Sequence, residues 1–241
     1  MTPMGHVVGV VGARGGAGAS VLAASLAATF AASHDAGVPG AGRAAGADLT
    51  AGGGLDVVLG IEDVLGLRWP DLHQARGDVD GIELRSVLPH WSGVAVVSGD
   101  RLRPSPTPPD VVEGVVRALA DVHAAVLLDL DRVAVLDDPP PTVLGLCRTV
   151  LLVVPLDLRA VAGAVALRGS LGTRVGDVRL VVRGPSPGGL GVSELEHVLG
   201  LPMAGTLPYR RRLDAALDAG AGPPRRGAYA RAIGRLAQGL R

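Results

Sequence analysis

Residues Gly12 to Ser20 read GARGGAGAS and directly follow the apolar run Val7–Val11. A strand, a glycine-rich turn, a hydroxyl residue and a helix, in that order, make the layout of a phosphate-binding P-loop, G-x-x-x-x-G-K-[ST]. Glycines let successive backbone N–H groups converge on phosphate oxygens, and the helix N-terminus adds favourable partial charge. Gly15, Gly16 and Gly18 are spaced for that work, and Ser20 falls where a hydroxyl ligates Mg²⁺. The rival dinucleotide pattern G-x-G-x-x-G is not cleanly present, and a plain packing turn is the other alternative. Ala13 takes the first glycine position and Ala19 takes the lysine position. No other lysine substitutes, because all 23 basic residues are Arg. Truncating one partner of a desolvated charge pair costs roughly 2–5 kcal/mol, which weakens binding by about 30-fold to several thousand-fold. Loss of transition-state charge stabilisation is the heavier effect, so slow or absent hydrolysis is expected.

Around this loop the chain reads as alternating strands and helices. Val94–Ser98, Ala125–Leu130, Val150–Val154 and Val178–Val182 are short Val/Leu-rich runs bounded by breakers. Such continuous apolar runs suit parallel strands covered on both faces. Ser20–Ala32 has helical spacing through Leu22, Leu26 and Phe30, and its many alanines allow close approach to a sheet. Asp110 with Glu113, and Ser193 with Glu196, read as capping-box pairs. Gly200 and Pro202 close the second of these helices. The stretch Gly37–Gly54, where an α/β chain needs its second strand, shows no apolar run, so that strand reads as degraded, frayed or missing. Arg103–Pro109 and Asp137–Pro141 are proline-rich loops. The expected fold class is α/β, a doubly wound, mostly parallel sheet with helices on both faces. One domain spanning 1–241 is expected.

Composition narrows the function classes. Only 2% of the 241 residues are aromatic, so a core must come from Val, Leu and Ala. The lone Cys147 excludes an intramolecular disulfide and a cysteine metal cluster, and reads as a small buried apolar residue. His6, His34, His73, His90, His123 and His197 lack metal-ligand spacing. Trp69 and Trp91 read as packing anchors. No secretory signal and no membrane-spanning run is evident, which points to a cytoplasmic protein. Net charge is zero, yet Arg210–Arg241 holds eight Arg against two Asp, a local balance of +6. That segment reads as a solvated helix face or as a surface for DNA or an anionic membrane. Tyr229, Ile233, Leu236 and Leu240 form an apolar stripe in it, which either packs on the domain or lies on a membrane.

Arg14-Gly15-Gly16-Ala17-Gly18-Ala19-Ser20 resembles the deviant Walker A loop, K-G-G-x-G-K-[ST], of the MinD/ParA ATPases. The segments Gly52–Gly60 and Gly66–Leu72 look like the actinobacterial CpaE-like branch, which includes septum site-determining proteins. So do Val154-Pro155 with Arg159-Ala160-Val161, Val181–Pro185 with Gly188-Gly189-Leu190, Leu199–Pro202 and Ala215–Leu217. The resemblance implies a P-loop NTPase fold with ATP and Mg²⁺ as cofactors. It implies that Arg14 takes the place of the signature lysine, which reaches across a nucleotide-dependent homodimer. It places the Walker B aspartate at Asp129 and, more weakly in register, the switch aspartate at Asp48. Asp131 departs from the branch's D-L-P-R. No counterpart of the base-recognising asparagine lies near Arg183. Relatives in the branch often carry a receiver-like N-terminal domain, which is not expected in this chain. The implied role is to position septum machinery or a Tad-type pilus or secretion apparatus, with those division or secretion proteins as partners. The alternative is a pseudo-ATPase scaffold that binds no nucleotide.

Overall fold

A computed structural model describes residues 5–32, 42–51, 54–184, 189–209 and 211–241. Eight strands form one sheet. The first, β1 (His6–Gly12), is followed by α1 (Ala19–Ala32), β2 (Gly42–Asp48), α2 (Leu55–Leu59) and α3 (Gly81–Val87). Next come β3 (His90–Trp91), β4 (Val94–Val97), α4 (Pro109–Val122), β5 (His123–Asp129), α5 (Arg132–Leu136), β6 (Thr149–Pro155) and α6 (Leu158–Gly172). The chain then forms β7 (Val178–Gly184), α7 (Val192–Leu199), β8 (Met203–Pro208), α8 (Arg211–Asp218) and α9 (Gly227–Gln238). The strand order is β3-β4-β2-β5-β1-β6-β7-β8, and only the β3–β4 pair is antiparallel.

Each strand alternates its side chains between two cores, as a pleated strand must. Val7 and Val11 of β1 face a core completed by α4, α6 and α7. Val8 and Val10 face the opposite core, built with α1, α2 and α9. Both faces are therefore apolar and covered, so β5 and β6 are Val/Leu-rich and almost fully buried. The winding reverses at β1: the chain moves out to β2 and to β3 at the edge, comes back through β4 to β5 beside β1, and continues on the other side through β6 to β8. Open α/β sheets bind ligands in the crevice outside the strand C-termini at such a reversal.

The second strand corrects the sequence reading. Gly42–Asp48 is a seven-residue strand hydrogen-bonded on both sides, with Ala44–Ala47 opposite Val94–Val97 and Asp48 opposite Asp129. Alanine and glycine have poor strand propensity, but pairing and burial override it. Small residues suit the place: a Cβ added at Gly46 would lie 3.1 Å from Leu55 Cδ2. Gly37–Ala41, Gly52, Gly53, Pro185 and Gly188 lie outside the described residues.

Both expected capping boxes are displaced. The helix assigned to Asp110 begins at Pro109 with Pro108 as its cap and no side-chain capping bond. Glu113 pairs instead with Arg117, one turn on, at 2.7 Å. The helix assigned to Ser193 begins after Gly191, whose N–H donates to the Glu194 carboxylate at 2.9 Å. Gly200 does end that helix, in the left-handed conformation, φ 55°. The stripe Tyr229, Ile233, Leu236 and Leu240 is buried, packed against α1 and β8. Of the two alternatives the stripe takes the packed one, which removes the apolar face that membrane docking of the segment requires. Among the described residues no helix is long and apolar enough to cross a membrane.

Candidate functional site

The glycine-rich turn links β1, the central strand, to α1. Gly16 and Gly18 have φ values of 68° and 95°, the region that L side chains avoid. A Cβ at Gly12 would meet Ala17 Cβ at 3.0 Å and the Arg14 carbonyl at 3.1 Å, so the turn closes tightly on itself. It is tied to the sheet by Ala13 N–H, which donates to the Val153 carbonyl at 2.9 Å. The Gly18 carbonyl accepts the first α-helical bond, from Leu22 N–H at 3.0 Å. Ala17 is buried, whereas Gly15 and Gly16 are exposed along the crevice. Ala19 and Ser20 open the first turn of α1 and are half-buried.

Arg14 is held within the chain. Its Nε and Nη2 both donate to Asp157 Oδ2, at 3.0 and 2.8 Å, and Nη1 donates to the Gly15 carbonyl at 2.8 Å. Asp157 is also the N-cap of α6, accepting from Ala160 N–H at 3.0 Å. The Arg14 guanidinium holds the Asp157 carboxyl below the usual carboxylate range. On the other side of the loop, Arg183 Nη1 donates to the carbonyls of Ala17 at 3.0 Å and Gly16 at 3.2 Å.

The two sequence-predicted aspartates end adjacent parallel strands, side by side in register, and both are 1% exposed. Asp48 is internally satisfied. Its Oδ1 accepts from Thr50 N–H at 2.9 Å and the Thr50 hydroxyl at 2.6 Å, and its Oδ2 accepts from Leu55 N–H at 2.9 Å. Burial still raises its pKa, opposed by those bonds. Asp129 differs: neither carboxylate oxygen has a well-formed hydrogen bond among the described residues. Desolvation, then the neighbouring Asp48 charge, push its pKa up to about 7, and the nearby Ser20 hydroxyl offsets this only in part. A buried unpaired carboxylate is costly, and a divalent cation with a hydroxyl ligand opposite is the chemistry that relieves it. The donor set therefore fits Mg²⁺ at Ser20 and Asp129. It fits a polyphosphate less completely, because the position of the lysine is the methyl group of Ala19.

Asp131 caps α5, accepting from Val133 N–H at 2.6 Å, and its other oxygen takes Ala51 N–H at 3.0 Å, tying β5 to the segment after β2. Trp69 is an anchor, its indole N–H donating to the Asp48 carbonyl at 2.6 Å. Trp91 lies under the Arg225 guanidinium, 5.1 Å from the ring centroid. Burial raises the Cys147 thiol pKa to about 12, consistent with an inert core residue. A cavity of about 790 Å³ opens beside Asp48 and Asp131, walled by both proline-rich loops and not by the glycine-rich turn.

The sequence reading placed Arg14, Gly15, Gly16, Ala17, Gly18, Ala19, Ser20, Asp48 and Asp129, and the fold brings them to one end of the sheet. It missed Asp157 and the contact of Arg183 with the loop. The cue for Asp157 was a polar residue directly before the helical run Leu158–Gly172, the position of an N-cap. Nothing local marked Arg183, since its partners are distant in sequence.

A mostly parallel eight-stranded sheet with helices on both faces, a glycine-rich turn after the central strand and an acid at the tip of β5 define the MinD/ParA-type P-loop NTPase fold. The ParA family ATPase of Chlorobium tepidum superposes with a TM-score of 0.82 at 18% identity, over 99% of both chains. MinD in the MinC:MinD cell division complex of Aquifex aeolicus gives 0.76 at 17%, over 98% of this chain and 95% of that one. The septum site-determining protein MinD of Pyrococcus horikoshii, in complex with Mg-ADP, gives 0.72 at 16%, over 98% and 96%. In sequence, the chain is 37% identical over 217 residues to an uncharacterized protein of Mycobacterium tuberculosis, covering 90% of this chain and 58% of that protein. The chain thus spans under two thirds of the curated relative that it matches. No family model matches it.

Proposed function

We propose that this chain is a ParA-like nucleotide-binding protein with weak or absent ATP hydrolysis. The observation that carries the reading is Asp129, buried, without a well-formed hydrogen bond among the described residues, and beside Ser20 at the mouth of the glycine-rich loop. In this reading Ser20 and Asp129 hold Mg²⁺, which screens phosphate charge when bound, and the backbone N–H groups of Gly15 to Ser20 hold the phosphates. Arg14 contacts phosphate in cis or across a homodimer, and Asp48 orders the segment after β2 so that it responds to the ligand. Ala19 removes the charge needed for fast phosphoryl transfer. The CpaE-like resemblance supports a role in positioning septum or Tad-type pilus or secretion machinery, with proteins of that machinery as partners. A cytoplasmic location follows from that role. The Arg-rich C-terminal segment leaves DNA or a membrane surface as a further, purely electrostatic contact. One domain over 1–241 remains our reading of the organisation.

Calorimetry with ATP·Mg²⁺ at roughly 100 μM protein tests the reading, since that concentration detects weakened sites. Binding in the micromolar to sub-millimolar range supports it. No binding selects the second reading, a pseudo-ATPase scaffold. That reading is favoured by Ala19 and by the closure of Arg14 onto Asp157.

A further inference from the structure

We infer that Arg183 supplies the positive charge that the loop lacks at Ala19, contacting the phosphate chain of a bound nucleotide from the C-terminal end of β7; this rests on the nucleotide-binding reading above. Arg183 is far from Ala19 in sequence but adjacent to the same loop in space. Its Nη1 bridges the carbonyls of Gly16 and Ala17. It also stands over Gly18, where an added Cβ would fall 2.9 Å from that nitrogen. The guanidinium therefore lies on the carbonyl side of the loop, beside the residues whose N–H groups, trans to those carbonyls, would hold phosphate on its other side.

Its backbone is fixed at the crevice. Arg183 pairs in register with Pro155 of β6, and its carbonyl accepts Leu156 N–H at 3.1 Å. To meet the phosphates the side chain turns past the edge of the loop, away from the carbonyls that it contacts here. Arg183 forms no salt bridge among the described residues, in contrast to Arg14, which is committed to Asp157. A guanidinium carries five N–H donors, and only Nη1 is engaged with the loop. Among the described residues the others face no carboxylate, so they are available to anionic oxygens, for which the planar fork is well suited. Burial raises the pKa of Tyr229 of α9, and the nearby Arg183 charge opposes that rise. One cation thus bears on the loop and on the helix that packs beside α1. The ligand class is an oligophosphate, either the phosphate chain of a nucleotide or an inorganic polyphosphate.

Calorimetry on the whole chain, with ATP·Mg²⁺, inorganic tripolyphosphate·Mg²⁺ and adenosine as separate titrants, tests this. Arg183→Ala is expected to weaken ATP·Mg²⁺ by at least about 30-fold, and Arg183→Lys to stay within about fivefold of the wild type. Ala19→Lys is expected to raise affinity much more in the Arg183→Ala background than in the wild type, a coupling that a merely structural role for Arg183 would not give. Thermal melts of each variant show that it is folded, and Arg183→Gln serves if Arg183→Ala is not. Equal affinity in wild type and Arg183→Ala would overturn the inference and leave the nucleotide-binding reading standing. Tripolyphosphate bound as tightly as ATP would show that the phosphate chain alone is recognised and supports the assignment. Wild-type protein that binds neither phosphate ligand would overturn both.

Discussion

At the scale of single residues, the site combines one missing charge with one excess charge. Ala19 leaves the loop without its lysine, and Asp129 leaves a buried carboxylate without a well-formed hydrogen bond among the described residues. Restoring the first should be gainful: with Arg183 present, Ala19→Lys is expected to tighten ATP·Mg²⁺ binding by up to about tenfold, less than it gains when Arg183 is removed, and calorimetry reads it directly. Turnover that rises with it would show a poised site lacking one group. Relieving the second should stabilise the ligand-free protein. Asp129→Asn keeps the shape and removes the charge whose burial is penalised. A gain of about 2 kcal/mol corresponds to roughly 4–8 °C in a chain of this size. The melting temperature without nucleotide should rise by that amount, while any extra stabilisation by ATP with Mg²⁺ disappears. A variant that melts lower than wild type would show that Asp129 is satisfied by something other than a cation. The loop was legible in the sequence because its glycines are contiguous, and Gly12, Gly16 and Gly18 each have a backbone reason. The partners of Arg14 and Arg183 were not legible, because Arg14 meets Asp157 across 143 residues and only the sheet brings them together.

At the scale of elements, apolar runs identified the strands wherever burial demanded large side chains. β2 escaped because its room is taken by others: Leu55 lies over Gly46, and the alanines around it face strands and helices that already fill both layers. Hydrophobic periodicity reports side-chain volume, so a strand made of small residues leaves little signal. Gly46→Val should therefore cost about 1–3 kcal/mol by overpacking, read as a shift in the urea midpoint with unchanged slope. At the start of β5, His123 is buried, with Nδ1 at 2.8 Å from the Leu119 carbonyl, and burial lowers its pKa, aided by Arg85 and the titratable His90 facing it. Here the folded pKa lies below the unfolded one. The contribution of His123 to stability is whole above about pH 6.5 and is lost as pH falls through the lower folded value. His123→Gln keeps an uncharged polar group at that place, so its melting temperature should fall less than wild type between pH 7 and pH 5. Parallel pH profiles would dismiss this account.

At the scale of the molecule, the two cores, the reversal of winding at β1 and the packing of α9 on α1 and β8 leave the crevice over the strand C-termini as the place where a ligand or a second copy would meet Arg14. The C-terminal stripe was legible as apolar, but whether it faced a membrane or the domain depended on β8, where Gly205 lets Leu236 approach to 2.9 Å of a would-be Cβ. If the proposed nucleotide-dependent dimer uses Arg14 across its interface, the Arg14–Asp157 pair must open first. That pair is one-third exposed or less on each side, 33% and 28%, and a partly solvated pair is worth up to about 1 kcal/mol. Opening it should therefore raise the nucleotide concentration needed for dimerisation by no more than about fivefold. Asp157→Asn removes the charge and keeps a side chain that caps α6, since asparagine caps as well as aspartate. Light scattering along an ATP·Mg²⁺ titration should show this variant doubling its mass at up to about fivefold lower nucleotide than wild type. A variant that dimerises no earlier would mean that Arg14 stays within its own chain. Constant monomer mass in both proteins would remove the dimer from the proposed function.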